Sequence, residues 1–148
     1  MTINSYLTGL ANLAILRDDE KASVQRSITA LQSRLTNHFG NQIGQHFVFG
    51  SYSRGTILPR SMDPQSDVDY MVVFADTGLQ PQSYLDRLRR FAEVRYSRSE
   101  VAQSHPTVVL ELNHVRFELV PAVQNRFSVL QIPAKGSGYQ SWQDTDPN

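Results

Sequence analysis

The chain has no cysteine, which excludes disulfides, zinc–thiolate sites, iron–sulfur clusters and any cysteine nucleophile. It has no apolar run approaching the ~18 residues that a membrane helix needs. The N-terminal stretch MTINSYLTGLANLAILRDDE lacks the basic start and small-residue cleavage site of a secretory signal, so a soluble, cytoplasmic protein is expected. Net charge is lacking too. The 14 Lys and Arg balance the 14 Asp and Glu, which argues against a domain-wide grip on nucleic acid, because that mode of binding needs a basic excess. Lysine itself is scarce: 12 of the 14 basic residues are Arg, whose planar fork binds phosphate bidentately. A local anion site can therefore sit inside a neutral average. The four histidines, His38, His46, His105 and His114, show no ligand spacing and read as surface or partly buried rings.

What is present is a folding sequence. At 148 residues and 40% hydrophobic composition, the chain is long enough for one domain with its own core. Ile3, Leu7, Leu10 and Ala14 recur at helical spacing, and so do Val24, Ile28, Leu31, Leu35 and Phe39. Asp18 or Asp19 can cap the second helix, and Gly40 can close it in the left-handed conformation. Residues 45–50, QHFVFG, read as a short strand entering a turn, SYSRGT as a brief helical turn, and RSMDPQSD as loop, with Asp63 before Pro64 a turn residue. Residues 67–74, DVDYMVVF, are rich in β-branched and aromatic residues and predict a strand buried on both faces at its far end. Pro81 suits the first position of a helix carrying Leu85, Leu88 and Phe91 inward and arginines outward. Three strands are expected after it, over 106–112, 115–123 and 127–133, the first two joined at Asn113-His114. The tail from Ala134 is polar and shows no period. Helices followed by a mixed sheet with one further helix make an α+β domain.

The most informative stretch is Phe49-Gly50-Ser51, followed after a loop by Ser66-Asp67-Val68-Asp69-Tyr70. Asp67 and Asp69 are two apart on a predicted strand, so their carboxylates project from one face. Two carboxylates that close repel, and burial would push a proton onto one of them. A divalent cation removes the conflict, and hard oxygen ligands select Mg²⁺ or Mn²⁺ over zinc. Gly50-Ser51, where a strand meets a short helix, can offer backbone N–H groups and a hydroxyl to a phosphate. Arg54 and Arg60 in the connecting loop can add forked donors. Together these parts read as a metal–triphosphate site.

F-G-S-Y-S-R-G-T followed by S-D-V-D-Y-M-V-V-F resembles the signature of the DNA polymerase β-like nucleotidyltransferase superfamily. The R-G-T soon after Gly-Ser is similar to the branch that contains oligoadenylate synthases, cyclic GMP-AMP synthase and bacterial relatives in antiphage defence. The resemblance covers roughly residues 47–123 and implies a mixed sheet flanked by helices, the palm fold of that superfamily. It implies a third carboxylate on a later strand before a Val-Pro-Ala stretch, and R-F-E-L-V-P-A places Glu118 there, where Asp is more usual. Glu111 is the competitor for that role; opposite Arg116 across a two-residue turn, it reads instead as half of a cross-strand ion pair.

The chemistry so implied is transfer of a nucleoside monophosphate from ATP or GTP to a hydroxyl with release of pyrophosphate. Asp67, Asp69 and Glu118 would hold Mg²⁺ or Mn²⁺, Glu118 would also accept the acceptor's proton, and Gly50, Ser51, Arg54 and Arg60 would bind the nucleotide. A cyclic di- or oligonucleotide second-messenger synthase is the activity to which the resemblance points first. A small enzyme modifying protein or RNA, of toxin–antitoxin type, and a non-catalytic nucleotide-binding remnant are its rivals. Residues 1–133 are expected to form the catalytic domain and 134–148 a polar tail or linker toward an absent C-terminal helical domain, with a protein partner as another possibility. Arg87, Arg89, Arg90, Arg95 and Arg98 leave a nucleic-acid partner open against the plainer reading of a solvated helix face. Tyr139 and Trp142 read either as base-stacking rings or as a hydrophobic anchor for the tail.

Overall fold

The apolar positions Val24, Ile28, Leu31, Leu35 and Phe39 fall on one stripe only if the backbone turns every 3.6 residues. In the computed structural model, which describes residues 18–53, 67–104, 106–134 and 141–147, they do so on helix α1, Asp18–Phe39. All five are buried. Gly40 follows with φ +54 and passes the chain into a 3-10 turn, Gly40–Gln42, as expected of a residue with no Cβ to clash in the left-handed region. The helix expected around Ile3 to Ala14, the loop bearing Arg54, Arg60 and Asp63, and His105 and Tyr139 lie outside the described residues.

Strand β1, Ile43–Phe49, then leads into the single-turn helix α2, Gly50–Ser53. Strand β2, Val68–Phe74, is followed by helix α3, Pro81–Arg95, with Pro81 in its first turn. The remaining strands are β3, Glu100–Ser104; β4, Thr107–Glu111; β5, Arg116–Gln124; β6, Leu130–Pro133; and β7, Trp142–Asp144. Among the described residues the sheet runs β1-β2-β5-β4-β3, with β6 pairing to β5 and β7 to β6. Only the β2–β5 pair at its centre is parallel; the other pairs are antiparallel. The mixed sheet flanked by helices is the α+β architecture expected.

The two faces of the sheet do different work. Val68, Tyr70, Val72 and Phe74 of β2, with Phe117, Leu119 and Val123 of β5, meet the apolar stripes of α1 and α3 in the main core. Edge-on rings tighten it, Phe39 on Phe74 at 5.3 Å. The Tyr70 hydroxyl lies 2.6 Å from His46 Nδ1, and burial pushes that phenol up to about 12. The opposite face carries a smaller cluster of Met71, Val73, Val120 and Ala122 with Phe47, Phe49, Leu130 and Ile132 against it. Toward the start of β2 and β5 that same face turns polar.

The structure departs from the sequence expectation in three places. Strand β3 went unforeseen because it is an edge strand of alternating exposure. One of its inward residues, Gln103, is polar and exchanges hydrogen bonds with Gln82 of α3 at 3.0 and 3.1 Å. The strand expected from Phe127 starts only at Leu130, because Asn125 Oδ1 accepts from the backbone N–H of Phe127 and Val129 and bends residues 125–129 into a turn. The polar tail contributes β7, held through backbone pairing with β6 and by Trp142, edge-on to Tyr84 at 5.4 Å. Of the two readings of Trp142, the anchor is the one this packing matches.

Among the described residues no helix is long and apolar enough to cross a membrane. Leu119, fully buried on β5 directly behind the polar row, tests how far the core supports that row. Leu119→Ala should cost about 2–5 kcal/mol, the range for deleting a buried leucine side chain, read as a lower urea midpoint at unchanged slope.

Candidate active site

Side chains on a strand alternate, so Asp69 leaves the sheet on the face opposite Val68 and Tyr70. In the parallel pairing of β2 with β5, Asp69 is the register partner of Glu118. On the outer side Phe49 of β1 pairs with Asp69, and Val109 of β4 pairs with Glu118. One row across four strands therefore reads Phe49, Asp69, Glu118, Val109: two carboxyl groups side by side, with an apolar residue at each end. Asp67, just before β2, stands on the same face one row further out. Arg116, two residues before Glu118, shares that outer row with its register partner Glu111.

The electrostatics follow from the layout. Burial is the first reason that the Glu118 carboxyl is raised above its ordinary range, reinforced by its hydrogen bond to Asp69 and the Asp69 charge. A hydrogen bond to Asp67 and the charge of Arg116 oppose the rise. Arg116 Nε lies 3.4 Å from Asp67 Oδ1 and 3.5 Å from Glu111 Oε2. The Glu111–Arg116 pair expected across the hairpin is therefore present, and the Leu112 N–H donates to the Val115 carbonyl at 2.9 Å around Asn113-His114. Arg116 as a partner of Asp67 was not foreseen. The available signal was the i, i+2 spacing of Arg116 and Glu118, which puts both on one face, but pairing with Asp67 needs the parallel register of β5 on β2.

Gly50 closes the site on the β1 side. It is buried, with φ +71. A Cβ there would run into Asp69 Oδ2 and stand 3.1 Å from its Cγ. The turn thus lies directly on the Asp69 carboxylate, which only a residue without a side chain permits. Helix α2, with Ser51 in it, begins at Gly50. Of the expected site residues, the structure brings together Asp67, Asp69, Glu118 and Gly50, with the backbone of Ser51 adjoining; Arg54 and Arg60 lie outside the described residues.

Among the described residues no group of three or more acidic or histidine side chains is arranged as a ready metal cage. The donor set nevertheless suits a hard divalent cation: three carboxyl groups at the start of two adjacent strands, with Glu118 hydrogen-bonded to Asp67 and Asp69. The described histidines, His38, His46 and His114, stay apart from it. His46 and His38 are both lowered from the usual imidazole value, first by burial, and His114 contacts Ser27 at 2.6 Å. Two of the α3 arginines are engaged locally, Arg87 with Asp76 and Arg89 with Glu93, both at 3.0 Å.

The mixed sheet backed by helices matches the nucleotidyltransferase fold of solved structures. Over residues 1–148 the sequence matches the Second Messenger Oligonucleotide or Dinucleotide Synthetase domain, and the chain belongs to that family. Solved structures agree on the fold. The CD-NTase CdnG of Bradyrhizobium diazoefficiens, solved in complex with GTP, is 16% identical with a TM-score of 0.78 over 93% of this chain and 42% of its own. The cyclic AMP-GMP synthase DncV of Vibrio cholerae, solved with the linear intermediate 5′ pppA(3′,5′)pG, is 11% identical with a TM-score of 0.74 over 93% of this chain and 55% of its own. The c-UMP-AMP synthase CdnE of Rhodothermus marinus, solved with Apcpp and Upnpp, is 12% identical with a TM-score of 0.59 over 90% of this chain and 53% of its own. The chain thus spans about half the length of these proteins. No curated protein matches the sequence.

Two outcomes are expected. Gly50→Ala should lose about 1–2 kcal/mol from the positive φ alone, with a further loss from the collision with Asp69, measured by urea denaturation. Glu118 sets a pH dependence. Its raised pKa favours the neutral carboxyl in the fold, so the associated stability is present below the ordinary carboxyl range and is lost as pH rises through the raised value. In EDTA, Glu118→Gln should therefore melt above the wild type at neutral pH, the gap closing as pH falls below that range. A lower melting temperature at neutral pH would contradict the assignment.

Proposed function

We propose that this chain is the catalytic domain of a divalent-cation-dependent nucleotidyltransferase. It transfers a nucleoside monophosphate from a triphosphate such as ATP or GTP to a hydroxyl, releases pyrophosphate, and serves a cyclic di- or oligonucleotide second-messenger synthase of antiphage defence acting in the cytoplasm. The observation that carries this reading is the register pairing of Asp69 with Glu118 beneath the Gly50 turn. The nucleotides with which CdnG, DncV and CdnE were solved support the substrate class.

Asp67, Asp69 and Glu118 would hold Mg²⁺ or Mn²⁺. Such ions, when bound, neutralise phosphate charge and make an acceptor hydroxyl easier to deprotonate. The rest falls to the chain itself. The Gly50 turn and Ser51 bind the phosphates, with Arg54 and Arg60 as further forked donors. Glu118, the register partner of Asp69, would take the proton of the attacking hydroxyl as general base. Asp69, fixed between Phe49 and Glu118 in its row, orients the reacting groups, and phosphates held in one place leave along one line.

The test is incubation with labelled nucleoside triphosphates and Mg²⁺ or Mn²⁺, following pyrophosphate and product. Wild type should release pyrophosphate and form phosphodiester product. Glu118→Gln should slow turnover by ~10²–10⁴-fold, the usual contribution of a general base, and Asp69→Asn should remove it. Absence of both triphosphate binding and pyrophosphate release, with Mg²⁺ and with Mn²⁺, would overturn the proposal.

A further inference from the structure

The outer row of the polar face holds a residue that nucleotidyl transfer does not itself call for. Arg116 opens β5, and its guanidinium is shared between Asp67 at 3.4 Å and Glu111 at 3.5 Å. All three side chains are largely shielded, at 20%, 14% and 31% exposure for Arg116, Asp67 and Glu111. Screening by water is therefore weaker here than for an open surface pair. The backbone fixes the arrangement: Glu111 and Arg116 are register partners across the hairpin, and β5 lies beside β2. Arg116 also acts on Glu118, where its charge pulls the carboxyl downward against burial.

An ordinary structural pair needs one acid and one base. Here the Arg116 guanidinium stands between the proposed cation ligand Asp67 and a second carboxylate, and any cation that Asp67 holds must contend with it. We propose that Arg116 is a positioning residue for Asp67 that sets how tightly the site takes a divalent cation, and that Glu111 tunes it by drawing the guanidinium the other way. The cation affinity of the nucleotide-free protein is thereby kept low, so that cation and triphosphate load together. This inference rests on the reading of Asp67 as a cation ligand.

Mn²⁺ titration of the nucleotide-free chain, followed by electron paramagnetic resonance of the free ion, tests it without reference to turnover. Arg116→Gln should bind Mn²⁺ at least about fivefold more tightly than wild type, the lower bound for removing one charge a few ångströms away under water-like screening. Arg116→Lys, which restores the charge, should return the affinity toward wild type. Glu111→Gln should weaken binding, and by less when Arg116 is already Gln, because its effect runs through the guanidinium. A residue that merely holds the fold together would weaken binding in every variant. Equal or weaker binding by Arg116→Gln, with Asp67→Ala still abolishing it, would overturn the role of Arg116 and leave nucleotidyl transfer standing. If Arg116→Gln does not fold, as judged by circular dichroism, Glu111→Gln decides: unchanged or tighter binding overturns the proposal. No Mn²⁺ binding by any form, with or without triphosphate, would overturn both readings.

Discussion

The parallel pairing of β2 with β5 is the constraint on which the rest of the molecule depends. It sets Asp69 beside Glu118 and, on the reverse face, Tyr70 beside Leu119. Because side chains alternate, slipping either strand by one residue would bring its carboxylate into the helix-covered core and its apolar residues out toward the polar row. A packed core behind the sheet therefore enforces the position of two acids in front of it. Pro121, which has no N–H to give a ladder, falls where β5 changes partners: pairing with β4 ends at Leu119 and pairing with β6 begins at Val123.

The polar face is arranged at the expense of the fold. Glu118 sits in a row with apolar ends and beside another acid, so ionising it is costly. Gly50 gives up side-chain packing to lie on Asp69. Arg116 offsets part of the crowding of negative charge without removing it. The stabilisation lies elsewhere, in the cluster that α1 and α3 form on the reverse face, where Leu31, Leu35, Tyr84, Leu85, Leu88 and Phe91 are fully buried. Separating the two across one sheet lets the acids remain strained while the domain stays folded.

Much of this was legible in the residues. The helical stripe from Val24 to Phe39 and the β-branched run behind Asp69 each carry one strong period, and one strong period is what a single sequence displays best. Asn113-His114 lies between two runs whose alternation matches a two-residue turn, so the position of Glu111 opposite Arg116 follows from spacing along the chain. Strand β3 does not, since an edge strand with Gln103 inward has little apolar signal to give. Strand β7 is three residues long and held largely by backbone pairing, which has no side-chain signature beyond Trp142. The start of β6 moved from Phe127 to Leu130 because the Asn125 side chain captured two backbone N–H groups, a local competition that hydrophobicity does not register.

At the site, the sequence by itself determined which chemistry was available: hard oxygen donors, arginine in place of lysine, no cysteine, and a Gly-Ser turn ahead of two acids spaced for one strand face. Those are properties of residue types and of spacing along the chain. Only the tertiary structure decided which acids meet. Asp69 and Glu118 are far apart in sequence, and a parallel pair carries no turn to announce its register, so their adjacency, and that of Arg116 to Asp67, exists only once the core has locked β5 against β2.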